Sequence, residues 1–302
     1  MTAPAAPGAL LGDAARGILW MLLTMLMFAS INAVAKYLTQ TYPIPQVVWA
    51  RYAFHMLPLL LLLRGRLLEL TASRRLGLQL TRSLLMMTTT GLFFTGVRYI
   101  PLADAAAIMF VTPILVTALS VPLLGEPVGP RRWAAVMFGF AGALIIIRPG
   151  AGVMHVAAFL PFCAACLHSL YQIITRKVSA DDPPLTSLVY TALFGGVVSS
   201  AVVPFFWTTP DATGWALMVL LGLLGGGGHF AMIKAFQAAT AATVTPYGYT
   251  ILLWATLYGF VLFADLPDLW TVVGASIIVA SGLYIFHREQ RRRGVVGPGT
   301  LD

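Results

Sequence analysis

The chain has 302 residues, of which 59% are hydrophobic and only 10% charged, with mean hydropathy +0.84. A soluble domain carries about a quarter charged residues, so this composition excludes a water-soluble fold and makes lipid the solvent. The net charge of +8 would suit nucleic acid or acidic lipid, but the placement of the charges described below argues against a nucleic-acid partner.

In chain order, a Pro/Ala-rich start, Met1 to Asp13, reads as a disordered tail. Ten apolar stretches follow, approximately 17–38, 46–63, 76–97, 103–123, 131–147, 154–175, 185–206, 213–233, 241–263 and 269–286. At about 1.5 Å per residue each can cross a hydrocarbon core of about 30 Å. Backbone amides in lipid need internal partners, so the stretches are predicted to be helices. The short alternating segments of a barrel are absent. The class is all-α: a polytopic membrane protein of ten helices in two inverted five-helix repeats. Arg16 with the following apolar run and Ala33-Val34-Ala35 resembles a cleavable signal peptide. Cleavage would leave nine spans and break the repeat, so the run is read as the first span.

Between the spans, one alternate set of segments holds fifteen Lys and Arg residues. The opposite set holds three, Lys36, Arg98 and Arg148, and Arg51 lies inside the second span. This bias puts both termini in the cytoplasm, with anionic lipid as a secondary contact. Arg51 either snorkels to the outer surface or faces an outer vestibule, where it would attract a carboxylate. Gly294 to Asp302 reads as a second disordered tail.

The halves divide near residue 150, giving repeats 1–150 and 151–302. Arg98 to Ala106 aligns with Lys234 to Ala242, Gly125-Glu126-Pro127 before Trp133 is echoed by Asp265-Leu266-Pro267 before Trp270, and Asn32 and Lys36 match Gln172 and Arg176. An odd number of spans per half inverts the second copy, the architecture of an alternating-access carrier. These features, with the Gly139-Phe140-Ala141-Gly142 stripe, resemble the drug/metabolite transporter superfamily, specifically its EamA-type exporters and among them the YddG-type exporters of aromatic and other neutral amino acids. The resemblance covers about residues 15 to 287. It implies a cavity among the first four helices of each half, with the fifth and tenth packed outside. Asp265 stands where the first half has Glu126, so both are read as loop anchors.

Counting along each helix puts His55, Met86, Met87, Thr90, Thr112, Pro113, Leu167, Gly195 and Tyr249 within about 5 Å of the midplane, with His168 and Gly225 to Gly228 slightly to the cytoplasmic side. A carrier's site is expected at this level. His168, Tyr171, Gln172 and Thr175 share one face of the sixth helix; that stripe either lines the cavity or bonds neighbouring helices. Asn32 and Gln172 lie at mirrored depths and read as two gates. On the ninth span, Tyr249 and Trp254 lie too deep for an interfacial belt, whereas Trp20, Trp49, Trp207, Trp215 and Trp270 are expected there. Tyr99 is a lid residue or an ordinary belt tyrosine. The glycine run, with Gly227 in it, serves close packing or an opened backbone; Pro113 and Pro246 are placed to bend their helices.

The expected substrate site is thus His55, Met86, Thr90, Tyr99, Thr112, His168, Tyr171, Gly227, His229, Tyr249 and Trp254. No Asp or Glu falls in the central part of a span, which disfavours a proton-coupled carrier or a cation exporter. Only His55, His168 and His229 could titrate there. The reading is uncoupled export of neutral, aromatic and large hydrophobic amino acids through a bacterial inner membrane; the alternative is a proton-coupled exporter of lipophilic drugs or other metabolites. The chain is expected to be a monomer and not an enzyme, with a small-molecule substrate and membrane lipid as partners and no cofactor or metal. Cys163 and Cys166 read as apolar fillers, and Asp181-Asp182 before Pro183-Pro184 as a linker.

Overall fold

A computed structural model describes residues 7–63, 67–125, 129–148 and 153–295, and among these every regular element is helical. The helices are α1 (Pro7–Thr41), α2 (Ile44–Leu63), α3 (Leu67–Leu70), α4 (Leu76–Tyr99), α5 (Leu102–Met109), α6 (Thr112–Leu124), α7 (Pro130–Ile147), α8 (Val153–Val178), α9 (Pro184–Val202), α10 (Ala212–Ala238), α11 (Ala241–Val244), α12 (Ile251–Phe263) and α13 (Leu269–Val295). Six helices among the described residues are long and apolar enough to cross a membrane, and Trp133–Ile147 and Leu269–Ile285 are shorter apolar helices.

The ends differ from expectation. Residues 7–13, expected as tail, belong to α1. At the other terminus α13 runs on through the basic segment to Val295. Residues 126–128 and 149–152, with the Glu126-Pro127 turn and the expected repeat boundary, lie outside the described residues.

Two expected helices are broken, each beside a proline. The fourth stretch is split at Phe110–Val111, just before Pro113, which cannot bond back to Met109. The ninth becomes α11, a 3₁₀ turn at Thr245–Thr250 holding Pro246, and then α12. Both breaks fall near mid-span.

The most extensive pairings are α1 with α10, α4 with α8, and α7 with α13. In the last pair, a Cβ on Gly142 would lie 2.8 Å from the Gly274 carbonyl oxygen, so only glycine permits this approach. Leu253, Val197, Met137 and Phe138 are more than 60% exposed, as lipid-facing side chains should be. Trp49, Trp207 and Trp215 form one cluster at the α2–α10 junction, with ring centroids 5.5–6.4 Å apart.

Candidate functional site

The broken segments shape the site. Their halves α5 and α12 pack together, whereas α6 turns away onto α8 and α7, and α11 with its 3₁₀ turn lies against α1. The two segments therefore converge at one end and diverge at the other. Where they meet, Phe110 stacks on Tyr249 with centroids 4.7 Å apart.

The converged end is held by paired charges. Lys36 Nζ donates to Asp265 Oδ2 (2.6 Å) and to the Ile100 carbonyl (3.0 Å), joining α1 to the ends of α12 and α4. The Ser30 and Tyr258 hydroxyls meet at 2.8 Å one level deeper. Arg148 bridges Asp268, which also caps α13 by accepting from the Thr271 amide at 2.8 Å. Burial pushes the Asp268 carboxyl up, but the Thr271 amide and the Arg148 guanidinium outweigh it and hold the group below its ordinary value. On the same side, Asp211 accepts from the Gly214 amide (2.7 Å) and the Tyr42 hydroxyl (3.0 Å), and these bonds hold its carboxyl low.

The opposite end repeats this pattern with other residues. Asp182 accepts from the Ser73 hydroxyl, the Arg74 amide (3.0 Å) and Gln79 Nε2 (2.9 Å). Burial pushes its carboxyl up, and the Ser73, Gln79 and Arg74 bonds more than reverse that. Arg75 pairs with the neighbouring Asp181 at 2.8 Å. The acidic pair expected as a linker therefore clamps the start of α9 to the start of α4.

Between the ends lies a belt of different chemistry. Arg51 of α2 donates from one Nη to Thr90 Oγ1 at 2.7 Å, and the Tyr52 hydroxyl lies 3.1 Å from the same oxygen. Thr90 bonds in turn to the carbonyl of Met86, one turn below. The His55 and His229 rings are 5.6 Å apart, with Phe28 5.2 Å from His229. His168 sits 5.5 Å from Tyr171, and all three imidazoles lie within electrostatic reach of Arg51. His55 is 6% exposed, and its Nε2 has no partner among the described residues. Among the described residues no carboxylate bonds to any member of this belt.

Arg51 does not snorkel to the outer surface. It lies about 10 Å along α2 from Ile44, while Thr90 lies about 14 Å along α4 from Tyr99, so the side chain reaches inward. Arg82, which the charge count assigned to a basic segment end, is 3% exposed and spans three helices. It donates to Thr175 Oγ1 (3.0 Å), Gln79 Oε1 (3.2 Å), the Ser187 carbonyl (2.6 Å) and the Tyr171 hydroxyl (2.7 Å), with its guanidinium 4.8 Å from the Tyr171 ring centroid. The α8 stripe therefore divides: Tyr171 and Thr175 bond a neighbouring helix, while His168 faces the belt.

Contacts and charge join His55, Thr90, His168 and His229 with Arg51 and Phe28; Tyr171 is held by Arg82, and Met86 meets the group only through its own carbonyl. The structure sets the others apart. Tyr249 belongs to the stack at the break, its hydroxyl against Gly282. Trp254 joins a second core with Met21, Met25 and Val244, and its indole N–H is unpartnered among the described residues. Thr112 is buried at the start of α6, also with an unpartnered hydroxyl. Tyr99 is 55% exposed near Arg98 at the converged end. The glycine run lies inside the continuous α10, where a Cβ on Gly227 would meet the Met27 side chain at 2.8 Å; it serves packing, and the backbone does not open there. Asn32 is half-buried and Gln172 exposed, and neither makes a hydrogen bond among the described residues.

The profile of the EamA-like transporter family matches the chain twice, over residues 15–148 and 155–286. A riboflavin transporter of Vibrio cholerae is 30% identical over 284 residues, covering 92% of this chain and 95% of that one. An S-adenosylmethionine uptake transporter of Rickettsia prowazekii is 26% identical over 91% of this chain and 94% of the relative. A pseudopaline exporter of Pseudomonas aeruginosa is 24% identical over 88% and 94%. A crystal structure with 17% identity, covering 92% of this chain and 98% of its own, superposes with TM-score 0.63 and supports the fold alone.

Proposed function

The chain belongs to the EamA-like transporter family, a membrane protein of two repeats, and from that premise we propose that it carries small aromatic solutes without net positive charge by alternating access. Ten membrane segments in two inverted sets, residues 1–150 and 151–302, would place both termini in the cytoplasm of a bacterial inner membrane. The fifteen-to-three asymmetry of Lys and Arg supports that orientation. It makes the converged end, with Lys36 and Asp265, the outer one, and the diverging halves α6 and α11 an inner mouth.

The observation that carries the substrate reading is the belt: Arg51, three imidazoles and Phe28, with no carboxylate bonded to them among the described residues. A cationic solute in a low-dielectric interior needs a counter-charge, and the belt supplies the opposite sign. The flat rings of Phe28, His55 and His229 suit a planar partner. The riboflavin transporters among the relatives make riboflavin the first probe, and neutral aromatic amino acids are the smaller members of the same class. The S-adenosylmethionine carriers share the fold, but a sulfonium solute does not match this belt. With no acid bonded to the belt among the described residues to take up a proton there, flux follows the solute's own gradient.

The test is flux in proteoliposomes of riboflavin, phenylalanine and tryptophan, with and without a protonophore. Flux that persists after the proton gradient collapses is the expected result. Complete arrest would refute uncoupled transport, and no flux of any of the three would refute the substrate class.

A further inference from the structure

We propose that Arg51 is the docking point for an acidic group on the transported solute, a carboxylate or a phosphate ester. The inference rests on the carrier reading above and narrows its substrate.

The argument is one of charge balance. Two arginines reach the interior, and they are satisfied very differently. Arg82 makes four hydrogen bonds and lies on the Tyr171 ring, so its donors are nearly spent on the fold. Arg51 uses one donor, on Thr90. Its remaining contacts are the Tyr52 and Phe94 rings, each 5.7 Å from the guanidinium carbon. A guanidinium has five N–H donors in a planar fork, so most of this one is unspent.

The carboxylates that pair with cations among the described residues are committed elsewhere, Asp265 to Lys36, Asp268 to Arg148, Asp181 to Arg75 and Asp13 to Arg16. Among the described residues no carboxylate forms an ion pair with Arg51, so the positive charge of the belt has no counter-ion there. A buried group is open one turn further along α2: His55 Nε2, unpartnered among the described residues and 6% exposed. A planar carboxylate or a phosphate oxygen pair matches the free fork in shape as well as charge. An amide or alcohol of the same size would leave the charge uncompensated.

The experiment uses the purified full chain in detergent and reads binding by tryptophan fluorescence, with benzoate, phenyl phosphate and benzamide as probes. Benzoate or phenyl phosphate is expected to bind about tenfold or more tightly than benzamide; whichever acid is preferred identifies the group. Arg51→Gln is expected to erase that preference, and Arg51→Lys to keep part of it. Equal binding of acid and amide by the wild-type chain would overturn the proposal, as would an acid preference untouched by Arg51→Gln. If Arg51→Gln does not fold, the wild-type comparison and Arg51→Lys decide. The two readings fail separately. Aromatic flux with acid and amide bound alike removes the anion subsite and leaves the carrier. Acid binding through Arg51 with no aromatic flux removes the substrate class and leaves the subsite.

Discussion

The rim and the belt of this carrier use charge in opposite ways. At the converged end each interior cation finds a carboxylate, Lys36 with Asp265 and Arg148 with Asp268. Away from the rim, Arg51 in the belt and Arg82 beside it find only hydroxyls, amides, carbonyls and rings among the described residues. A paired charge joins helices and can be exchanged as a gate opens and closes. An unpaired charge in a poorly solvated interior is a standing attraction for a ligand of opposite sign. On the proposed reading, the location of the missing acid separates the parts that would hold the protein shut from the part that would receive solute.

The largest expected effect sets the two arginines against each other. Arg82→Met removes four hydrogen bonds and strands their partners, and should lower stability by about 2–4 kcal/mol. Arg51→Met removes a half-buried charge that no carboxylate among the described residues pairs with, and should leave the melting temperature unchanged or raised while solute flux falls about tenfold or more. Melting curves and proteoliposome flux on both variants check the contrast.

At the end opposite Lys36 and Asp265, Asp182→Asn weakens three charge-assisted bonds and should cost about 2 kcal/mol. Because the folded Asp182 carboxyl lies below its ordinary value, its contribution is fully present above the unfolded carboxylate range of about pH 4 and is lost as pH falls through the folded value. The wild-type melting temperature should hold from pH 8 to about pH 5 and drop below about pH 4, with a smaller drop in the variant.

A double-mutant cycle of Lys36→Met and Asp265→Asn should give a coupling of about 1 kcal/mol, since Asp265 is one-third exposed. The singles should also raise the labelling of Asn32→Cys by an impermeant thiol reagent from the outer face. Unchanged labelling would remove the Lys36–Asp265 pair from the seal.

Gly227→Ala should shift stability by no more than about 0.5 kcal/mol, because the new methyl meets only the flexible tip of Met27 and helix propensity offsets the crowding. Flux should be unchanged. A large loss would restore the opened-backbone reading of the glycine run.

The level of the belt was legible in the sequence because depth along a helix is a matter of counting. His55, Met86 and Thr90 count to the midplane and His168 to slightly below it, and the structure places His55, Thr90 and His168 around Arg51. The breaks were legible too, since Pro113 and Pro246 cannot complete a helical ladder. What counting misses is direction and partner. Arg82 stands near the start of its helix, where a cation that snorkels and one that crosses to the next helix look alike. Lys36 and Asp265 are 229 residues apart, and no local pattern links them. Tyr249 and Trp254 sit at belt height but turn toward α13 and the α1–α11 core. Periodicity gives the face of a helix only once its neighbours are known.

The central claim is that the belt carries positive charge with no protein acid to balance it. It is tested most directly by initial rates in wild-type proteoliposomes for two solutes of one shape and opposite charge, 3-phenylpropionate and 3-phenylpropylammonium. The account expects the carboxylate to cross at least about ten times faster. An ammonium that crosses as fast as the carboxylate, or faster, would contradict it.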